Sequence, residues 1–196
     1  MTERVNAGPD FAGLYGMFPD PEGPPLAEVV PAHEVPEPYR GLLVHTHHMT
    51  VTVEQFHGSL VGVRVLDSRL EGDTYCRKIL LVLQGTDRVV QFGAVRIHLN
   101  HCEPAVREAI LAQQTPLGRI LIERGVLRSI HPTAYLKVIP NASMRGWFGM
   151  DSPATTYGRL GVITTDGRPA IEVLEVVAPV GGLPASVVLT TSGSME

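Results

Sequence analysis

The stretch "YGRLGVITTDGRPAIEVLEVVAP", Tyr157 to Pro179, constrains the fold more than any other part of the chain. Two runs rich in β-branched residues flank Asp166-Gly167, a pair that tolerates the positive φ of a tight turn, so the runs are expected to pair as an antiparallel hairpin. Three runs of similar character lie upstream, "SLVGVRVLD", "TYCRKILLVLQ" and "RVVQFGAVRIHL", separated by turn residues at Gly72-Asp73 and Gly85-Thr86-Asp87. Their spacing suits consecutive antiparallel pairing.

Helical segments fall between and beside these runs without the even βαβ rhythm of a parallel sheet. Residues 39 to 45 and 50 to 57 read as short helices flanking "HTHHM". In "EPAVREAILAQQ" the residues Val106, Ala109, Ile110 and Gln113 share one helical side, with Pro104 in the first turn, where proline is tolerated. A second helix follows at once, with Thr115 as its cap, Pro116 at its first position and Gly125 as its stop. "VLRSIHPTAYLKVIP" is another strand candidate, and residues 141 to 153 read as irregular. The expected class is α+β: a single domain whose antiparallel sheet is covered by helices.

Half of the 16 prolines precede Tyr39, which is too many for regular structure. Residues 1–35 are therefore expected to form a proline-rich arm, 36–182 the domain, and 183–196 a small, polar tail ending in "TTSGSME". With 196 residues, 44% of them hydrophobic, the chain has material for one closed core. A net charge of -4 lacks the basic excess that phosphate backbones demand, so nucleic acid is not expected and a small molecule or a protein is the better partner. Cys76 and Cys102 form no CxxC pair, which suits a reducing compartment. No leader or bilayer-spanning run is visible, so the expectation is a soluble, cytoplasmic protein away from membranes.

Two charges run against the strand pattern. A period of two puts Arg77 on the side of Tyr75, Ile79, Leu81 and Leu83, and Glu175 on the side of Ile171, Val173 and Val177. One reading is that these strands are edges, or that Arg77 and Glu175 form a structural buried pair. The other is an internal pocket with a guanidinium for a carboxylate and a carboxyl group whose pKa is raised by desolvation. The start of the second helix adds amides at Leu117 and Gly118 that have no intrahelical acceptor, with Gly118 leaving room for a ligand. The eight histidines show no HExxH, and no metal or cofactor is expected. GxSxG is absent as well, and neither cysteine sits beside a base motif, so a nucleophilic triad is unsupported.

In order along the chain, Met49-Thr50, "RKILL" from Arg77, "TPLGR" from Thr115, Gly158-Arg159 and "LEVVAP" with Glu175 resemble the chorismate pyruvate-lyase (4-hydroxybenzoate synthase) family, over about residues 40 to 180. The resemblance implies a chorismate lyase-like fold with an internal ligand pocket. It further implies a cofactor-free lyase that eliminates pyruvate from chorismate to leave 4-hydroxybenzoate. By the same transfer, Arg77 and the amides of Leu117 and Met49 hold the ring carboxylate, and Gly118 and Arg159 belong to the binding site. Glu175 sits by the C4 oxygen as the second catalytic residue beside Arg77, its role as acid, base or hydrogen-bond partner open.

The chain departs from the pattern at Leu160, where relatives often carry a second basic residue; Arg159, Arg145 and Arg128 are the candidate substitutes. Two other readings keep the fold. One is an enzyme acting on another cyclic carboxylate in specialised metabolism. The other is a non-catalytic module that binds a small carboxylate, by analogy with the effector domains of transcription regulators, although the first 38 residues are too proline-rich for DNA-binding helices.

Overall fold

The computed structural model describes residues 8–165 and 167–180. A seven-stranded antiparallel sheet forms its centre. The strands are β1 (Leu26–Val30), β2 (Val61–Glu71), β3 (Thr74–Leu83), β4 (Val89–His98), β5 (Arg128–Ile139), β6 (Thr156–Thr165) and β7 (Arg168–Val177). Their order across the sheet is β1-β5-β6-β7-β4-β3-β2. The expected consecutive pairing of β2, β3 and β4 is present, as is the β6–β7 pairing of the closing run. Asp166 of its turn and the 183–196 tail lie outside the described residues. The α+β class expected from the sequence is the class observed.

Both faces of the sheet are covered. On one, α2 (Tyr39–Leu43), α3 (Met49–His57), α4 (Pro104–Leu111) and α5 (Leu117–Glu123) pack over Tyr75, Ile79, Leu81, Val95, Ile97 and Val173. On the other, α1 (Phe11–Tyr15) and α6 (Ala142–Phe148) cover Cys76, Leu80, Phe92, Leu136, Leu160 and Leu174. A strand apolar on both faces reads as a continuous run, which is why "CRKILLVL" shows no clean alternation.

Two segments differ from the sequence expectation. The arm at 1–35 is no loose extension in its described part: Asp10 caps α1 by accepting from the Gly13 amide, and β1 pairs with β5. Its prolines interrupt structure as expected, but Leu14, Tyr15, Met17 and Phe18 are buried in the second core, and that burial outweighs local propensity. Residues 141 to 153, read as irregular, contain α6. Its Asn141 cap accepts from the Met144 amide, and Gly149 ends it at φ 64°, a conformation that favours glycine.

The arm is fastened by one buried polar knot. Lys78, on the face opposite Arg77, lies 3.9 Å from Asp20 with both side chains nearly inaccessible, and its ammonium stands 4.8 Å from the Trp147 ring centroid and 5.3 Å from that of Tyr15. Asp20 in turn accepts from the Tyr15 hydroxyl at 2.6 Å and the Ser143 hydroxyl at 2.7 Å. Burial pushes the Asp20 pKa up. Bonds from Tyr15, Ser143, the Glu22 amide and Asn141 outweigh it and bring the pKa down to about 2. A carboxyl whose folded pKa lies below its ordinary 3.8 contributes stability that is present above that value and is lost as pH falls through the folded pKa. Asp20→Asn should therefore lower stability at neutral pH by on the order of 1–3 kcal/mol and flatten the pH dependence of urea denaturation between about pH 4 and pH 2. An unchanged slope in that window would exclude Asp20 as its source.

Candidate functional site

The first-turn residues of two helices meet over the middle of the sheet. Arg119 of α5 donates from its single Nη2 to both carboxylate oxygens of Glu54 on α3, at 2.5 and 2.6 Å, a charge-assisted contact that ties the two helices together. This accounts for the arginine of "TPLGR". Gly118, buried in the first turn of α5, faces Thr50 and His48: a Cβ there would stand 2.8 Å from Thr50 Oγ1 and 3.1 Å from His48 Cβ. The contact is helix against helix, so Gly118 first of all lets α5 close on α3. The expected Thr115 cap is not formed; Pro116 takes the cap position without a side-chain bond, since its ring already presets φ and its N–H would have had no partner.

Beneath these helix starts lies a cavity of about 50 Å³. Its floor is Arg77, Ile79, Leu81, Gln91, Gly93, Val95, Val173 and Glu175, and its roof is His48, Met49, Thr50, Leu117 and Gly118. Five residues singled out in the sequence, Arg77, Met49, Leu117, Gly118 and Glu175, are thus brought together. Met49 and Leu117 open α3 and α5, and neither helix has a side-chain cap bond at its start, leaving first-turn amides available to an acceptor.

Arg77 is 1% exposed, and its Nε and Nη1 have no hydrogen-bond partner among the described residues. Burial lowers its pKa, and the nearby Tyr75 phenol acts in the opposite direction. That phenol is itself buried and unpartnered, as is Gln91 Oε1. Guanidinium remains charged even so, and an unpaired buried cation is costly.

Arg159 is equally buried, at 2%, but fully engaged. It stands directly opposite Glu175 across the β6–β7 pair and donates from Nε to Glu175 Oε2 at 2.7 Å. Its Nη1 donates to the carbonyls of Leu43 and His45, and its Nη2 to that of His47. It therefore ties the α2–α3 connection to the sheet and does not line the cavity. The Arg77–Glu175 pair considered from the sequence is not formed, because Glu175 is taken by Arg159.

His48 stood out in the sequence only as part of a histidine run weighed for a metal, and Gln91 went unnoticed. His48 accepts from Arg128 Nε through its Nε2, which places its own proton on Nδ1. Burial first, then the cations of Arg128 and Arg159, lower its pKa to about 4, so it is neutral at neutral pH. Its position in "HTHHM" gave only a histidine run. Gln91 was hidden in the alternating pattern of β4.

No protein-family model matches the chain, and no curated protein matches it. Solved structures do. PhnF from Mycobacterium smegmatis is similar over 69% of this chain and 65% of its own, at 14% identity and a TM-score of 0.45. The effector domain of PhnF is similar over 67% of this chain and 88% of its own, at 14% identity and a TM-score of 0.44. A GntR-family transcriptional regulator from Bacillus cereus is similar over 61% of this chain and 92% of its own, at 12% identity and a TM-score of 0.42. The chain thus spans slightly less than two thirds of the length of full PhnF.

The likeness is one of fold. The Bacillus cereus structure is that of a GntR-family transcriptional regulator, and a similar structure from Bordetella bronchiseptica is the ligand-binding domain of another; the expectation of a carbon–oxygen lyase releasing pyruvate and 4-hydroxybenzoate from chorismate is corrected accordingly. Glu175, expected beside a leaving oxygen, lines the cavity while its Oε2 accepts from Arg159 Nε. No helix among the described residues is long and apolar enough to cross a membrane.

Gly118→Ala should destabilise the protein by about 1–3 kcal/mol in thermal unfolding, through overpacking against Thr50. Adding Thr50→Ala should recover part of that loss. Strict additivity of the two changes would show that this contact is not the cause.

Proposed function

We propose that the chain is a non-catalytic binding module for a small carboxylate, with Arg77 as its anchor. The observation that carries this reading is the guanidinium at the cavity floor, buried and without a partner for Nε and Nη1 among the described residues. A carboxylate matches that fork in shape and charge. The charge count points the same way: Arg77 and Arg159 against Glu175 leave one positive charge around the cavity, which one carboxylate neutralises.

In this reading Arg77 holds the carboxylate from below. The first-turn amides of Met49, Leu117 and Gly118 donate from above, where the positive ends of the helix dipoles add to the attraction. Arg159 keeps Glu175 from repelling the ligand and keeps the roof in place through the carbonyls of His45 and His47. Ile79, Leu81, Val95 and Val173 provide an apolar wall for the rest of a small ligand, and Gln91 offers it one hydrogen bond. Residues 36–182 are the proposed domain, with the described part of the 1–35 arm built into it through α1 on the far face and β1 at the sheet edge.

Isothermal titration with benzoate and hexanoate as probes tests the reading. The wild type should bind at least one of them, and Arg77→Met should weaken it on the order of 100-fold while circular dichroism shows the fold retained. Equal affinity in a folded variant, or no binding of either probe to the wild type, would overturn it.

A further inference from the structure

A second, larger recess adjoins the cavity from outside. It is an open cleft of about 940 Å³ between α3 and the start of β5, lined by His47, His48, Gln55, Arg128, Ser129 and His131 among others, with no aspartate or glutamate among its described lining residues. On a chain of net charge -4 a cleft of that size without a carboxylate is a local departure toward positive potential.

Arg128 is its only fixed cation among the described lining residues. It makes no ion pair among the described residues. Its Nη1 donates to the Val126 carbonyl at 2.7 Å and its Nε to His48, so the guanidinium is held in one orientation, and Nη2 has no partner within the described chain. His48 belongs to both recesses: it lines the outer cleft and roofs the inner cavity. Neutral and bonded to Arg128, it forms a polar partition that leaves the cation on the outer side.

We infer that the outer cleft is a second anion subsite centred on Arg128 and continuous past His48 with the Arg77 cavity, so that the ligand class is a molecule with two anionic groups. The inference rests on the proposed function and extends it. The inner cavity, at about 50 Å³, accepts a carboxylate and little more. Any larger ligand has to continue through the roof, and the residue that stands there presents an arginine with a free edge. A carboxylate or a phosphate group suits that edge equally.

Calorimetric titration of a matched pair, hexanoate and adipate, separates the two claims, with 6-phosphonohexanoate distinguishing phosphonate from carboxylate at the outer position. In the wild type, adipate or the phosphonate should bind on the order of tenfold tighter than hexanoate. Arg128→Gln should abolish that gain while leaving hexanoate affinity unchanged, and Arg128→Lys should restore part of it. Arg77→Met should weaken all three. Hexanoate binding that depends on Arg77 with no gain for either dianion would overturn the outer subsite and leave the inner one standing. Equal loss of hexanoate and adipate affinity in Arg128→Gln would make Arg128 a positioning residue for the roof and also overturn it. If no probe binds the wild type, the inner anchor fails and the outer subsite falls with it.

Discussion

A sheet covered on both faces leaves a charge little access to water, and the described central strands of this one hold four charged side chains that are 15% exposed or less. Lys78 and Arg77 are neighbours on β3 pointing to opposite faces, while Arg159 and Glu175 face one another across β6 and β7. Desolvation penalises each alike, so what distinguishes them is how the chain compensates. Lys78 has Asp20 and two aromatic faces. Arg159 has Glu175 and three carbonyls. Arg77 has none of these for its Nε and Nη1, and the rest of the site is arranged around that difference.

The two compensated cations also account for why the cavity keeps its shape. Arg159 reaches out of the sheet to hold the backbone of His45 and His47, the residues that lead into α3, so the helix whose first turn roofs the cavity is fixed from the floor. Arg119 then locks α5 to α3 through Glu54. On the far face, Lys78 and Asp20 draw α1, α6 and the arm together, sealing the second core against which β3 is pressed. Arg77 thus stands on a strand clamped from both sides, which gives a guanidinium the preorganisation that anion recognition needs.

Much of this was legible in the sequence, and the parts that were not have identifiable reasons. Alternating apolar runs and turn residues revealed six of the strands named here, β2 through β7. The gathering of Arg77, Met49, Leu117, Gly118 and Glu175 followed from a family resemblance whose motifs, scattered along the chain, converge on one cavity. Parity could not choose a face for Arg77, because α1 and α6 make the other face equally apolar, and proline density concealed α1. The stretch holding α6 was read as irregular, although Asn141 and Gly149 stand at its ends as a cap and a stop. The Arg159–Glu175 pair was hidden by a register shift between Ile163 and Thr164. Counting back from Thr165 opposite Arg168 without that shift would set Leu174 against Arg159 and turn Glu175 to the opposite face. The lyase activity implied by the same resemblance did not survive, since the family motifs describe a pocket and not the chemistry inside it.

The central claim is that Arg77 is retained for a ligand and not for the fold, and the equilibrium stability of Arg77→Met in the absence of any carboxylate tests it most directly. Methionine fills a similar volume without a charge, so removing an unpaired buried cation should leave the urea-unfolding free energy equal to or above that of the wild type. A loss of roughly 3 kcal/mol or more, the size expected on breaking a buried pair, would show that Arg77 is a structural cation with partners inside the protein and would contradict the account.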